Sequence, residues 1–483
     1  MPRLNPHLKL GPATLVNALG IVIPGLVTIL TIPVFIRTIG DERYGILAIV
    51  WLLIGYFSMF DLGFGRALTH RLGELPPSPP DSPRTAFWTA TGLSLLAGLL
   101  GGLLLFGVAD LWLQSNVSLS PALKRETQDA LPWVLLALPL ATTLSVLSGA
   151  LTGYGAFVPL NLGQIIGSLM FQLLPLGVAL WHSPSLGALI PAALIGRASS
   201  LLILTESCRK VLQLHEMPKF SKMEASLLLR YGGWVTVTAL AGPLLTVVDR
   251  FIIGFLNGAA AVTAYTVPFN LVGTALMIFP TSLQKAITPV MTQGDRAMIQ
   301  QQSKRYLLGI LALMTPVVVL ATLLITPFLE HWVGPALTQR AGPVGILLLL
   351  GNWINALALI PFTGLQCQGR PDIPARFHLW ELAPYGMLLW WLTAQYGVGG
   401  AALAWDVRVL VDAFLLFQAA NLMSALRAGM AGAAVVVSSL MLALFMPYRS
   451  LAYVVLGTSL LLISLFTAWK CLPVDWRHKI PLL

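Results

Sequence analysis

Asp61, Arg197, Asp249, Arg250, Asp406, Arg408 and Asp412 stand inside long apolar runs. At mid-membrane such a group costs about 3 kcal/mol on insertion scales, so it must meet a partner, bound ion or water-filled path. Arginine there suits phosphate or pyrophosphate, because the guanidinium fork engages two oxygens at once. Aspartate there suits a proton or a small cation. Arg408 and Asp412 are four residues apart and share a helix face, so they are expected to neutralise each other or to enter a site together. Asp406 points to nearly the opposite side and needs another partner. Adjacent Asp249 and Arg250 diverge by about 100°, so one is expected to face a cavity and the other an adjoining helix. Arg66, at the end of the second span, and Glu381, near the inner end of the eleventh, are expected to snorkel to the interface.

The elements that must position these charges follow from composition. Of 483 residues, 57% are hydrophobic and 10% charged, and mean hydropathy is +0.81. Soluble domains carry about a quarter charged residues, so an ordinary soluble protein is excluded. A membrane helix needs about 20 mainly apolar residues, and about fourteen such runs appear by that criterion. They cover 12–35, 45–65, 86–108, 131–151, 158–180, 187–207, 230–254, 261–284, 306–328, 342–366, 378–395, 399–421, 428–447 and 451–470. The fold expected is an all-α polytopic membrane protein. The loops expected near 66–85, 110–130, 208–229 and 285–305 are short, and Leu75 to Pro83 reads as a proline-rich linker that is not helical.

Orientation follows from the 29 Lys and Arg residues. Twenty fall in loops on the side of the N-terminus, six in loops on the other side, and Arg197, Arg250 and Arg408 lie within spans. That asymmetry puts both termini in the cytoplasm. It also accounts for most of the net charge of +10, which therefore argues membrane topology rather than nucleic acid. The first span exceeds a signal-peptide core and is expected to be retained. Cys208, Cys367 and Cys471 are scattered near the inner face and are expected as reduced thiols.

Segments offset by 221 positions resemble each other, with Val16-Asn-Ala-Leu19 on Val237-Thr-Ala-Leu240 and Tyr44 on Tyr265. Leu151-Thr-Gly-Tyr-Gly155 falls on Leu365-Gln-Cys-Gln-Gly369 at an offset of 214. Two six-helix lobes follow, related by a pseudo-two-fold axis along the membrane normal. The division expected is residues 1–208 for the N-lobe, 209–229 for a cytoplasmic linker, 230–422 for the C-lobe and 423–483 for an appended helix pair and tail. The sixth and twelfth spans become repeat equivalents, each carrying one arginine, Arg197 and Arg408. Two arginines on a shared cleft would make an anion site.

Enzymatic chemistry finds little support. There is no G-x-x-x-x-G-K-[ST] phosphate loop, no H-E-x-x-H and no Cys/His cluster, and Gly63-Phe-Gly65 does not continue into a dinucleotide fingerprint because Leu68 holds the last place. No outer loop is large enough for a membrane ligase or polymerase.

Pro33-Val-Phe-Ile-Arg37-Thr-Ile-Gly40-Asp-Glu-Arg-Tyr44-Gly45 and Phe60-Asp61-Leu-Gly63-Phe-Gly65-Arg66 resemble the first two helices of bacterial polysaccharide and O-antigen flippases. Val248-Asp249-Arg250-Phe-Ile-Ile-Gly254, followed by Ala264-Tyr265, resembles the start of their second half. The family belongs to the multidrug, oligosaccharidyl-lipid and polysaccharide exporter superfamily. The resemblance implies two lobes around a cavity, alternating access, and an undecaprenyl-pyrophosphate-linked oligosaccharide moved from the inner to the outer leaflet of the bacterial inner membrane. It implies polyprenyl-pyrophosphate-linked glycan and membrane lipid as partners, with a polysaccharide polymerase and glycosyltransferases nearby, and no nucleic acid. No cofactor is expected beyond H+ or Na+ coupling, for which Asp61, Asp249 and Asp406 are the candidates. The competing readings are a multidrug or cation antiporter and a peptidoglycan-precursor flippase of the same superfamily. A membrane polymerase or ligase and a scaffold for glycan assembly stand further off.

Overall fold

A computed structural model describes residues 10–56, 63–74, 81–115, 119–214, 219–291 and 296–473. Every element among them is helical, as expected for an all-α membrane protein. Eight of the described helices are long and apolar enough to cross a bilayer.

The first compact unit is Met1–Val247. Its helices are α1 (Leu10–Ile39), α2 (Asp41–Tyr56), α3 (Phe64–Glu74), α4 (Asp81–Ser115), α5 (Pro121–Gly153), α6 (Phe157–Trp181), α7 (Leu186–Leu212) and most of α8 (Lys222–Asn257). α5 is the central helix: α2, α3, α4 and α7 all pack on it, and α6 lies mainly against α7 and α1. α4 buries only 18% of its most apolar stretch, and Leu96, Leu100 and Leu104 stand exposed along it. That is the surface of a helix whose solvent is lipid.

Close approach, rather than bulk, joins α3 to α5. Gly149 and Gly153 repeat at the small-xxx-small spacing that lets helix backbones meet. A methyl built on Gly149 would lie 2.1 Å from the Gly65 carbonyl oxygen. The contact is sealed by the Thr69 hydroxyl, which donates to the Gly149 carbonyl at 2.9 Å.

The second unit is Val248–Leu483. It holds the end of α8, then α9 (Ala259–Met291), α10 (Arg296–Val333), α11 (Pro335–Cys367), α12 (Asp372–Ala419), a short α13 (Met423–Leu426), a 3-10 turn (Arg427–Gly429), α14 (Met430–Phe445) and α15 (Leu451–Cys471). α11 packs on α9, α10 and α12, while α14 and α15 pack on α10 and on each other.

The two spans expected at 378–395 and 399–421 are present as the two arms of α12, which meet at Gly397 with φ 58° and ψ −141°. Glu381 meets Arg408 and His378 meets Asp412, so the two arms run antiparallel about that glycine. Only glycine occupies this backbone region at low cost. Gly397→Ala is expected to destabilise the protein by about 1–3 kcal/mol, read as a lower unfolding midpoint in detergent. Gly399→Ala, with open space around it and no left-handed φ, should leave the midpoint within error. An equal effect of both would remove the backbone argument.

The loops shrink. α4 runs to Ser115 and α5 starts at Pro121, so most of the loop expected at 110–130 is helix. Helices of 33 to 38 residues outrun the roughly 20 needed to cross, and their polar ends stay helical beyond the hydrocarbon. Asp81, Ser82 and Pro83, assigned to the proline-rich linker, form the first turn of α4. Proline is tolerated there because a first-turn N–H has no helical acceptor. The rest of that linker and Asp61 lie outside the described residues. Cys208, Cys367 and Cys471 form no disulfide among the described residues.

Candidate functional site

Arg197 sits on α7 in the first unit, half-buried, and lines a cavity of about 330 Å³. Ser145 and Ser148 of α5, Gln164 and Ser168 of α6, and Ser200 of α7 line it as well. The Arg197 guanidinium reaches the Ser168 hydroxyl at 3.5 Å. Among the described residues no carboxylate pairs with it. A guanidinium with four donors to spare, in a chamber walled by hydroxyls and an amide, can bind a doubly liganding oxyanion.

Two ion pairs brace the ends of this unit. At one end Arg43 of α2 forms a two-pronged contact with Glu126 of α5, at 2.6 and 2.8 Å. Glu126 also accepts the Leu186 N–H at 3.4 Å. At the other end Arg71 of α3 grips Glu224 of α8, at 2.7 and 3.0 Å. There Arg84 donates to the Leu212 carbonyl, and the Ser221 N–H donates to Thr89. Sequence reasoning assigned these groups to loops, because partners 83 or 153 positions apart leave no periodic signal.

The second unit treats its charges differently. Asp249 and Arg250 were expected to diverge, yet they bind each other. Nη1 of Arg250 donates to Oδ1 and Oδ2 of Asp249 at 2.8 and 2.7 Å. Tyr265 of α9 donates its hydroxyl to Oδ2 at 2.8 Å. Both charges are almost wholly buried, and the guanidinium carbon lies 4.0 Å from the Phe269 ring centroid. The 100° argument holds for Cβ directions but not for the far end of a long side chain, which folds back. Both side chains are buried beside α9, the adjoining helix that one of the two was expected to face.

Arg408 and Asp412 do not close on each other either. Arg408 pairs with Glu381 at 3.8 Å, and Asp412 faces His378 at 3.6 Å. The antiparallel arms of α12 offer partners across the hairpin that compete with the neighbour one turn away. Glu381, expected to snorkel, is instead 6% exposed. Arg66 is exposed, as that expectation required. Asp406 is 5% exposed and leans on the backbone of α11, where a methyl on Gly351 would fall 2.2 Å from its Oδ1. Arg197 and Arg408 are therefore unlike: among the described residues one has no acidic partner and the other is charge-compensated.

The sequence matches the profile of a family described as polysaccharide biosynthesis protein over residues 10–295. It is 27% identical over 401 residues to a putative O-antigen transporter of Shigella flexneri, covering 83% of this chain and 95% of that one. The fold is similar to that of the lipid II flippase MurJ in an inward closed conformation, with a TM-score of 0.71 at 14% identity, over 97% of this chain and 99% of that one. It is also similar to a multidrug resistance MATE family transporter of the MOP superfamily, with a TM-score of 0.70 at 13% identity, over 86% and 99%.

Proposed function

Because the chain belongs to the family of polysaccharide biosynthesis proteins, we propose that it is a flippase for surface polysaccharide assembly. Its substrate is an undecaprenyl-pyrophosphate-linked oligosaccharide, carried from the inner to the outer leaflet of the bacterial inner membrane by alternating access. The observation that carries this reading is Arg197, a cation that has no acidic partner among the described residues, in a polar cavity of the first unit. A pyrophosphate brings the oxyanions that such a group lacks. A cationic drug would be repelled there, which disfavours the antiporter alternative.

The charge balance of the units gives the two lobes separate work. The first unit, with Arg197, meets the anionic head. The second unit keeps Arg250 and Arg408 compensated, so neither needs an external anion. Both termini lie in the cytoplasm in this reading, with glycosyltransferases supplying the substrate on that side and a polymerase using it on the other. The relative from Shigella flexneri is named an O-antigen transporter, which supports the same substrate class.

Deletion of the gene is the test. Lipid-linked repeat units are expected to accumulate on the cytoplasmic leaflet, protected from an added periplasmic glycosidase, while surface glycan disappears. Unchanged surface glycan in the deletion strain would end the flippase reading.

A further inference from the structure

We infer that Glu381 and Asp412 hold one proton between them, and that this proton is the ion exchanged during the transport cycle. The second half rests on the flippase reading above; the first half does not.

The two carboxyls come from opposite arms of α12 and lie within hydrogen-bonding reach of each other. Glu381 keeps 6% of its side chain exposed and Asp412 10%, so water does little to solvate them. Among the described residues, neither oxygen of Glu381 meets a hydrogen-bond donor, and Oδ1 of Asp412 meets none. Arg408 is near, but at 3.8 Å from Glu381 it makes an ion pair without a hydrogen bond. Two buried acceptors facing each other with no donor between them are completed by one proton, which turns one carboxyl into a donor to the other.

The charge balance agrees. With both carboxyls ionised and the His378 imidazole neutral, the cluster holds two negative charges against one guanidinium and carries an uncompensated buried charge. With one proton shared, Arg408 balances the remaining carboxylate. A metal ion fits less well, since no group of three His, Cys, Asp or Glu side chains among the described residues is arranged to hold one, and Arg408 already supplies positive charge.

His378 provides a route. A quarter of its side chain is exposed, and its Nε2 stands 3.6 Å from Oδ1 of Asp412. Among the described residues, the surrounding elements add no free charge. α11 presents the Phe362 ring, stacked on His378. From α8 and α9 come Asp249, Arg250 and Tyr265, bound to one another. Tyr385 lies between the two sets, with the Arg408 guanidinium 5.6 Å from its ring centroid. Of the candidates from sequence, Asp249 is held by Arg250, Asp406 lies against the backbone at Gly351, and Asp61 lies outside the described residues.

The full-length protein in lipid nanodiscs is to be studied by infrared spectroscopy in H2O and D2O, with Asp406→Asn as background so that Asp406 does not contribute. A carbonyl band of a protonated, buried carboxyl is expected at neutral pH. It should shift in D2O, fade at alkaline pH, and vanish in both Glu381→Gln and Asp412→Asn. If one of these variants does not accumulate, the other carries the same reading. Absence of the band, its persistence in both variants, or its loss on adding Na+ at constant pH would overturn the proton site. For coupling, cells expressing the wild type should lose surface glycan when a protonophore is added, and Glu381→Gln should display at least tenfold less without further response. Glu381→Gln cells that match the wild type in display and in protonophore response would overturn coupling. If instead gene deletion leaves the glycan intact, the flippase reading fails while the infrared result stands.

Discussion

Arg197→Ala is expected to abolish glycan export while the protein still inserts and accumulates. A charge-assisted hydrogen bond contributes about 1.5–3 kcal/mol, so losing one or two to a pyrophosphate weakens binding roughly ten- to hundredfold or more. No compensating structural loss accompanies the change, because among the described residues Arg197 has no carboxylate partner and its hydrogen bond to Ser168 is long at 3.5 Å. Removing the side chain takes a desolvated charge out of the unit, so the unfolding midpoint should hold or rise. Arg197→Lys keeps the charge but loses the fork, and is expected to fall between the two. The measurements are surface glycan in a complemented deletion strain and binding of a water-soluble polyprenyl-pyrophosphate analogue to purified protein. Full export by Arg197→Ala, at wild-type abundance, would remove the anion site from this cavity.

Much of the fold was legible in the sequence, because lipid imposes a simple rule on every span. Helices must satisfy their own backbone, so apolar length alone finds them. Even the hairpin within α12 was marked in advance by the gap between the spans expected at 378–395 and 399–421, close to Gly397. What the rule does not report is how far a helix continues into water, and for this reason the loops around Ser115 and Asp81 were drawn too long.

The site was legible in position but not in partnership. Arg197, Asp249, Arg250, Asp406, Arg408 and Asp412 stood out because charge is rare in apolar runs. Their partners depend on which helix lies alongside, and that is set by close contacts such as Gly351 against Asp406, which carry no periodic signal. Glu381 shows the difference most clearly. Its place near a helix end suggested an escape to the interface, but the opposite arm of the hairpin covers it and turns it toward Arg408 and Asp412. The internal repeat likewise places an arginine in each half's last helix but does not report that, among the described residues, Arg197 lacks a counter-charge while Arg408 has one.

Arg250→Ala is expected to be the most damaging single change to stability. Truncation leaves the Asp249 carboxyl fully buried without its cation, with the Tyr265 hydroxyl as its remaining side-chain donor. Breaking one side of a buried pair costs about 3–5 kcal/mol, against a total stability of about 5–15 kcal/mol for a typical protein. The guanidinium also covers the Phe269 ring, so a cation–π contact and packing volume go with it. The variant should be nearly absent from membranes at the growth temperature. Tyr265→Phe removes one hydrogen bond and should cost only about 1–2 kcal/mol.

The double change Asp249→Asn with Arg250→Met separates a structural pair from a substrate contact. It removes both charges and keeps most of the volume, and such replacements of buried pairs are often neutral. If the pair serves only to join α8 to α9, abundance and glycan export return together. A double variant that is abundant yet exports no glycan would instead put Arg250 on the substrate path, despite its burial.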